Sequence, residues 1–246
     1  MKSVGIIGGL GPETTSEFYL KLIFECQKRD TKERPSVVIA SVPLPFAIER
    51  DLLAHNEGKE RYIPYLVQEA KRLEKSDVDF IVMPCNSLHV FIEEIRQSVS
   101  IPVLSIVEET ILYLKDNKMK NIGLISTSAT IANHVYEDKL AEGGIDFVTP
   151  NDLQKAKMDK IIQRLVEGHH LDSDRKLILE VVQDLAEQDV DGVALACTDL
   201  QLLLPTSDKV NIFDTMEVLA QATVRTILSK WNNLLYSLFS KPHWPK

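Results

Sequence analysis

The sequence is poor in cysteine, in aromatic residues and in long apolar runs, and it carries no excess of basic charge. It has three cysteines in 246 residues, and this small odd number excludes a disulfide framework. The formal net charge of −8 at pH 7 argues against a nucleic-acid or anionic-membrane surface, because both need a basic patch. No apolar run reaches the roughly 18 residues of a membrane-spanning helix. We therefore expect neither a nucleic-acid nor a membrane partner.

The remaining composition is ordinary for a soluble globular protein, with 44% hydrophobic and 26% charged residues. The N-terminus shows no signal peptide, because Lys2 is followed at once by the strand-like VGIIGG. We therefore expect a cytoplasmic location, where the cysteines stay reduced. Cys26 lies in EFYLKLIFECQK, whose apolar spacing is helical, so we interpret this thiol as a buried structural residue.

Short runs rich in valine and isoleucine alternate along the chain with longer amphipathic stretches. The runs predict strands at 4–7, 37–42, 80–83, 103–105, 122–126, 146–148, 193–196 and 211–213. The amphipathic stretches predict helices at 14–29, 60–75, 87–98, 108–117, 129–142, 158–167 and 174–188. Such alternation is typical of an α/β fold in which helices cover both faces of parallel sheets.

The chain also contains an internal repeat. KSVGIIGGLGPETTSEFY at 2–19 parallels KNIGLISTSATIANHVY at 120–136, and VDFIVMPCNSL at 78–88 parallels VDGVALACTDL at 190–200. Because the matches come in the same order at a near-constant offset, we predict two pseudo-symmetric Rossmann-like lobes, each a parallel sheet flanked by helices. The active site would lie in the cleft between them.

The predicted lobes have the following boundaries. The first spans 1–112 and the second spans 113–211. A C-terminal helix at 214–230 would pack back on the first lobe, and 231–246 would form a short tail.

Two of the cysteines occupy equivalent places in the repeat. Cys85 in MPCNSLH and Cys197 in ACTDL each follow a predicted strand, and ligands of parallel sheets bind at the carboxyl ends of strands. If the lobes face each other, the two thiols flank one cleft and can remove a proton from one face of a carbon and return one to the other. Backbone N–H groups and helix dipoles after the strands would lower the pKa of these thiols.

Short polar side chains follow each thiol and could hold a substrate carboxylate or orient the sulfur. They are Asn86, Ser87, Thr198 and Asp199. His89 lies on the same helical face as Cys85, and it either tunes the thiol or has no role. A zinc site is a weaker alternative, because His89 is the nearest extra ligand and zinc needs three or four. Two buried structural cysteines are also a weaker alternative, because the polar neighbours would be out of place in a core.

The opening motif GIIGGLGPETT is rich in glycine, but its spacing is not that of a dinucleotide-binding loop and Pro12 breaks the pattern. A plain tight turn is one interpretation. We favour a turn that also binds a substrate carboxylate, because Pro12 and the threonines after it make an anion-friendly helix N-terminus. Leu10 would then face the cleft through its backbone. Thr127 occupies the equivalent place in the second lobe and is a further candidate.

Together the motifs resemble the aspartate/glutamate racemase superfamily. MPCNSLH and ACTDL look like its paired cysteine motifs, and GIIGGLGPETT resembles the opening motif of its aspartate racemase branch. The resemblance covers nearly the whole chain. It implies a cofactor-independent racemase, commonly a homodimer, with Cys85 and Cys197 as the two catalytic bases. It also implies substrate contacts from Arg50, Asn86, Ser87 and Thr198.

Some positions depart from that pattern. Asp199 stands where the aspartate branch usually has glutamate and the glutamate branch has histidine, which places the chain nearer the aspartate branch. Val166 stands where some members carry a lysine, so the second carboxylate of an acidic substrate needs another cation. The candidates are Lys157, Lys160 and Arg164.

We therefore predict a cofactor-independent enzyme without a metal that interconverts L- and D-aspartate, with glutamate as an additional candidate substrate. A related isomerase, of the hydantoin racemase or maleate isomerase type, is one alternative, as is a decarboxylase on the same fold. A non-catalytic protein that binds an amino acid in the same cleft is another.

Overall fold

A computed structural model of the chain describes residues 1–29, 33–48, 51, 58–169, 171–203 and 211–229. The predicted contact Arg50 and the predicted tail at 231–246 lie outside these residues. Within the described ranges, no helix has both the length and the apolar character needed to cross a bilayer.

The strands alternate with helices along the chain. The strands are β1 (Val4–Gly8), β2 (Val37–Ser41), β3 (Phe80–Val82), β4 (Val103–Leu104), β5 (Asn121–Ser126), β6 (Asp146–Val148), β7 (Gly192–Ala196) and β8 (Ile212–Asp214). The α-helices are α1 (Pro12–Lys28), α2 (Ile63–Lys75), α3 (Ile92–Ser98), α4 (Ile106–Asp116), α5 (Ser128–Ala132), α6 (Glu137–Gly143), α7 (Asp152–Val166), α8 (Asp172–Ala186) and α9 (Thr215–Leu228). Short 3₁₀ helices lie at Lys59–Tyr62, Ser87–Phe91 and Leu200–Leu202.

The strands form two parallel sheets with the same topology. One has the order β2-β1-β3-β4 and the other β6-β5-β7-β8, and every pairing is parallel. Strands at equivalent places in the repeat therefore take equivalent places in the sheets. This arrangement confirms the predicted α/β fold with two pseudo-symmetric lobes. The exact boundaries of the lobes stay a prediction.

Three helix predictions were wrong in their bounds. In the stretch 87–98, α3 begins only at Ile92, after the 3₁₀ helix Ser87–Phe91. The stretch 129–142 contains two helices, α5 and α6, because His134 takes the left-handed conformation with φ 51° and ends the first of them. Helix α7 begins at Asp152, earlier than its apolar spacing predicted, because Asn151 and Gln154 form a capping box. Its first turn is mostly exposed, so it lacks the apolar signal on which the prediction relied.

The core is divided by the two sheets. A central cluster joins both lobes, whereas two outer clusters each cover the far face of one sheet. The inward side chains of the inner strands alternate with the outward ones, as the pleat requires. Those facing the central cluster are Val4, Ile6, Phe80, Val82, Ile122, Leu124, Ala194 and Ala196. Helix α9 packs against α1 and α4, both of which belong to the first half of the chain.

A matching pair of glycines shows how closely the outer helices approach the sheets. A Cβ at Gly5 would lie 3.1 Å from the Leu73 side chain of α2, and a Cβ at Gly123 would lie 3.2 Å from the Leu185 side chain of α8. Each helix therefore packs closely against a strand residue that has no side chain, and the two glycines lie at equivalent places in the two lobes.

Candidate active site

A cavity of about 50 Å³ lies where the carboxyl ends of the two sheets meet. This volume is several times what one water molecule requires, so the cavity has room for a small polar ligand. Most of the predicted site residues line it. They are Leu10, Cys85, Asn86, Ser87, Thr127, Cys197, Thr198 and Asp199. The lining also includes residues that sequence analysis did not select, namely Gly11, Tyr62, Leu88, Thr130, Ile162, Val166 and Ala196.

Cys85 lies in the loop after β3 and is 9% exposed. Its Sγ lies 3.7 Å from the Ser87 hydroxyl. A 3₁₀ helix follows, and α3 begins only at Ile92. The helix expected after this thiol is therefore present, but it begins as a 3₁₀ helix and not as an α-helix.

His89 supports the Cys85 loop from behind the cavity. Its Nδ1 lies 2.6 Å from the Cys85 carbonyl oxygen, and its Nε2 accepts a hydrogen bond from the Ile106 N–H at 3.1 Å. Burial lowers the pKa of His89 to about 4, so the ring is neutral near pH 7 and Nδ1 carries the proton. His89 does not line the cavity, and its contact is with the backbone of Cys85.

The Asn86 side chain is held by residues of the second half of the chain. Its Nδ2 donates to the Thr215 hydroxyl at 3.1 Å, and its Oδ1 accepts from the Tyr136 hydroxyl at 2.5 Å. Thr215 in turn donates to the Leu195 carbonyl at 2.8 Å. The network is buried, so it fixes the amide beside Cys85. Sequence analysis missed Tyr136 because a tyrosine in an amphipathic stretch is typical of a core residue.

Cys197 follows β7 directly and is 6% exposed. Burial raises the pKa of this thiol well above its usual value, and the charges of Asp199 and Cys85 raise it further. The N–H groups of Asp199 and Leu200 lower the pKa, but their effect is smaller than that of burial. The predicted fall in thiol pKa was therefore wrong for Cys197, because burial of the thiol outweighs the N–H groups that follow it.

Asp199 connects the second thiol loop to the glycine-rich turn of the first lobe. Its carboxylate accepts a hydrogen bond from the Thr14 hydroxyl at 2.6 Å, in the first turn of α1. Gly11, the N-cap of α1, has φ 99°, and a Cβ there would lie 2.9 Å from Asp199 Oδ1. A side chain at position 11 would therefore be strained and would clash. The start of α1, where we expected a substrate carboxylate, therefore contacts the carboxylate of Asp199 through Thr14.

Thr127 occupies the corresponding turn of the second lobe. It is the N-cap of α5, where its hydroxyl accepts a hydrogen bond from the Thr130 N–H at 3.0 Å. The two threonine hydroxyls lie 2.9 Å apart. Both residues line the cavity, so capping of α5 fixes two threonine side chains at its wall.

None of the three cations suggested for a second carboxylate lines the cavity. Arg164 pairs instead with the buried Asp174 through contacts of 2.6 Å and 3.0 Å, and Lys157 and Lys160 are exposed. Helix α7 turns Ile162 and Val166, one helical turn apart, toward the cavity. The side chains of the three cations leave the helix in other directions. Among the described residues, no cluster of three or more histidine, cysteine or acidic side chains could hold a metal ion.

Comparison with known proteins agrees with this geometry. A family model described as Asp/Glu/Hydantoin racemase matches residues 7–223. The chain belongs to this family. The predicted resemblance is thereby confirmed at the level of the family.

Individual relatives cover nearly the whole chain. It is 33% identical over 231 residues to the broad specificity amino-acid racemase RacX of Bacillus subtilis (strain 168), which covers 92% of this chain and 98% of the relative. Among solved structures it is similar to Picrophilus torridus aspartate racemase, with a TM-score of 0.77, 26% identity and 98% and 100% of the two chains covered. An aspartate racemase homologue from Pyrococcus horikoshii OT3 gives a TM-score of 0.76 and 26% identity over 93% and 100%.

Proposed function

We propose that this member of the racemase family is an amino-acid racemase in which Cys85 and Cys197 act as two bases on opposite faces of the substrate α-carbon. The observation that carries the proposal is that both thiols lie in the wall of one cavity. Each comes from the equivalent strand end of its own sheet. The family match over residues 7–223 supports the same chemistry.

The proton transfers balance without a cofactor. One cysteine, as a thiolate, takes the α-proton, and the electron pair of the C–H bond stays on the substrate as a carbanion. The other cysteine, as a thiol, donates its proton to the opposite face, so the two cysteines end with exchanged protonation states. Burial raises the pKa of Cys197, and this direction favours its thiol form, which is the proton donor in the proposed mechanism.

The carbanion is the unstable species of this reaction, and preorganised donors around the cavity would stabilise it. Four serine and threonine residues of its described lining carry hydroxyl groups. They are Ser87, Thr127, Thr130 and Thr198. In this proposal Arg50, which the resemblance selects, binds a carboxylate of the substrate.

The identity of the substrate is a separate part of the proposal. The resemblance predicts aspartate, with glutamate as an additional candidate, whereas the relative RacX is named a broad specificity racemase. The assay should therefore offer acidic and uncharged L-amino acids side by side.

Racemisation in D₂O tests the two-base mechanism. With two bases, the early D-product carries solvent deuterium at the α-carbon, while the remaining L-substrate stays protiated. A single base would return the original proton to the product. Appearance of protiated D-isomer at early times, or the absence of any exchange, would contradict the proposal. Ligand-dependent stabilisation without exchange would favour a binding protein.

The homodimer and the cytoplasmic location also stay predictions. Sedimentation equilibrium of the purified chain would measure its mass in solution, and we expect twice the mass of one chain. A single-chain mass would contradict the predicted homodimer.

A further inference from the structure

We infer that Lys59 is a positioning residue of the racemase site, and that it holds a short helix of the second lobe against the first. The inference rests on the proposed function, because it concerns the geometry in which the two thiols act. Lys59 lies between β2 and β3, whereas its hydrogen-bond partner Asn133 ends α5, which follows β5. The contact therefore joins the two halves of the molecule.

Helix α5 follows a strand of the second sheet but packs into the core of the first. Thr127 and Thr130 line the cavity, while Ala129 is buried in the outer cluster of the first sheet, which also contains Cys85. The helix also contacts the 3₁₀ helix that follows Cys85. Because a helix of five residues has little stability of its own, contacts such as these decide where it lies.

Lys59 provides a polar contact at the end of this helix. Its ammonium group donates a hydrogen bond to Oδ1 of Asn133. Asn133 is the C-cap of α5, and its Nδ2 donates to the Ala129 carbonyl oxygen at 2.7 Å. The amide is thus fixed on its own helix and presents its oxygen to Lys59. Both residues are half-buried, and a hydrogen bond with a charged donor is stronger than one between neutral groups.

The same contact orients a second part of the cavity wall. Lys59 begins the 3₁₀ helix that ends at Tyr62, which is buried and lines the cavity. The bond from Lys59 to Asn133 therefore fixes Tyr62 relative to Thr127 and Thr130. Proton transfer by two thiols depends on such positions, and a displacement of about 1 Å can lower a rate roughly 100-fold.

The first test is steady-state racemisation by full-length Lys59→Met, which keeps a side chain of similar length and removes its charge. L-Aspartate, L-glutamate and L-alanine are the probes, and the one that wild type racemises fastest is used for every variant. We expect kcat to fall at least threefold, and by more than KM rises, because the walls lose their fixed positions while the binding groups remain. A smaller fall in kcat would overturn the inference.

Asn133→Ala removes the same bond from the other side, which keeps the inference testable if Lys59→Met does not fold. The double variant should be no slower than the slower single variant, since one bond can be lost only once. Additive losses would overturn the inference. Lys139→Met is the matched control, because Lys139 pairs with Glu142 within α6 and does not line the cavity. An equal fall in kcat for this control would also overturn the inference.

Alkylation of the cavity thiols gives a measurement that needs no turnover. Cys85 and Cys197 are both buried, so iodoacetamide reaches them only when the walls separate. Lys59→Met should raise the labelling rate of at least one of them threefold or more, whereas Lys139→Met should not. Peptide mass spectrometry distinguishes both from Cys26, and unchanged labelling would overturn the inference.

The failure of this inference is distinguishable from that of the proposed function. Racemisation that Lys59→Met leaves unchanged overturns the positioning role and leaves the two-base mechanism standing. A wild-type enzyme that racemises none of the three probes overturns the mechanism, and the inference with it.

Discussion

The two thiol loops occupy equivalent places in the repeat, yet their surroundings differ. Beside Cys85 lies the neutral amide of Asn86, and His89 holds the loop backbone from behind. Beside Cys197 lies the Asp199 carboxylate, whose charge adds to the effect of burial in raising the pKa of the thiol. A duplicated fold therefore supplies matching positions for two bases, while the polar residue next to each one sets a different electrostatic environment.

The loops also share a feature that the sequence motifs do not reveal. Each is tied to the other half of the molecule by a buried hydrogen bond, from Tyr136 to Asn86 in one case and from Thr14 to Asp199 in the other. Such contacts fix the neighbours of the two thiols relative to each other, which a two-base mechanism requires. The ties differ in chemistry, because one ends on a neutral amide and the other on a carboxylate.

The largest effect should come from removing either thiol. Cys85→Ser and Cys197→Ser should each lower racemisation by roughly 1,000-fold, because a serine hydroxyl is a poor base at neutral pH. Each variant should still exchange the α-hydrogen of one enantiomer, and the two variants should exchange opposite enantiomers. Chiral chromatography and mass spectrometry in D₂O measure both results.

Cys26→Ala is the matched control, because Cys26 is fully buried in the central cluster, away from the cavity. It should keep activity within a few-fold of wild type. Activity near wild type in either serine variant would show that the two loops are not catalytic partners.

The next largest effect should be on the pH dependence of stability, through His89 behind the Cys85 loop. The pKa of His89 falls from 6.5 in the unfolded chain to about 4 in the fold, so the unfolded state takes up a proton first as pH falls. The free energy of unfolding should therefore drop by about 3 kcal/mol between pH 6.5 and pH 4 through this group. Urea unfolding of wild type and of His89→Asn across this window measures the difference.

The variant should show a flatter pH dependence than wild type. The exposed His134, also changed to asparagine, is the control, since asparagine tolerates its left-handed conformation. Equal pH slopes for wild type and His89→Asn would mean that the ring is not buried in its neutral form.

Removing the hydrogen bond from Tyr136 to Asn86 should change stability less than the protonation of His89 does. Tyr136→Phe leaves the amide oxygen without its buried donor and should cost about 1–3 kcal/mol of unfolding free energy. It should also lower kcat more than it raises KM, because the loop of Cys85 loses its fixed position. Tyr113→Phe, where the ring packs edge-on against Phe213, is the control. No change in either stability or kcat for Tyr136→Phe would contradict this positioning role.

The smallest effect should be electrostatic and confined to the Cys197 loop. Asp199→Asn keeps an acceptor for the Thr14 hydroxyl and removes the charge that raises the pKa of Cys197. That pKa should fall, because a neutral amide no longer disfavours the thiolate. The rate of iodoacetamide alkylation against pH measures it in a chain that also carries Cys26→Ala and Cys85→Ser, so that Cys197 is the remaining thiol. Ser87→Ala in the same background should not move the midpoint, and an unchanged midpoint in Asp199→Asn would contradict the assignment.

Sequence patterns predicted the strands well, because the alternation of apolar runs and amphipathic stretches is a local property of the chain. The repeat also placed both cysteines correctly, since equivalent residues in a duplicated fold occupy equivalent strand ends. Helix boundaries were less predictable. The first turn of α7 is mostly exposed and depends on a capping box, and the break before α6 depends on the backbone of His134.

The sequence by itself determined the two-lobed α/β architecture and the presence of both thiols at strand ends, because hydrophobic periodicity and internal repetition are properties of the order of residues. Only the tertiary structure decided what surrounds each thiol. Thr14 and Asp199 are 185 positions apart, and Asn86 and Thr215 are 129 apart. The direction of Arg164 toward Asp174 and the burial that raises the pKa of Cys197 likewise depend on packing. Hydrogen bonds and desolvation act through space, so they are fixed only when the two lobes close on one another.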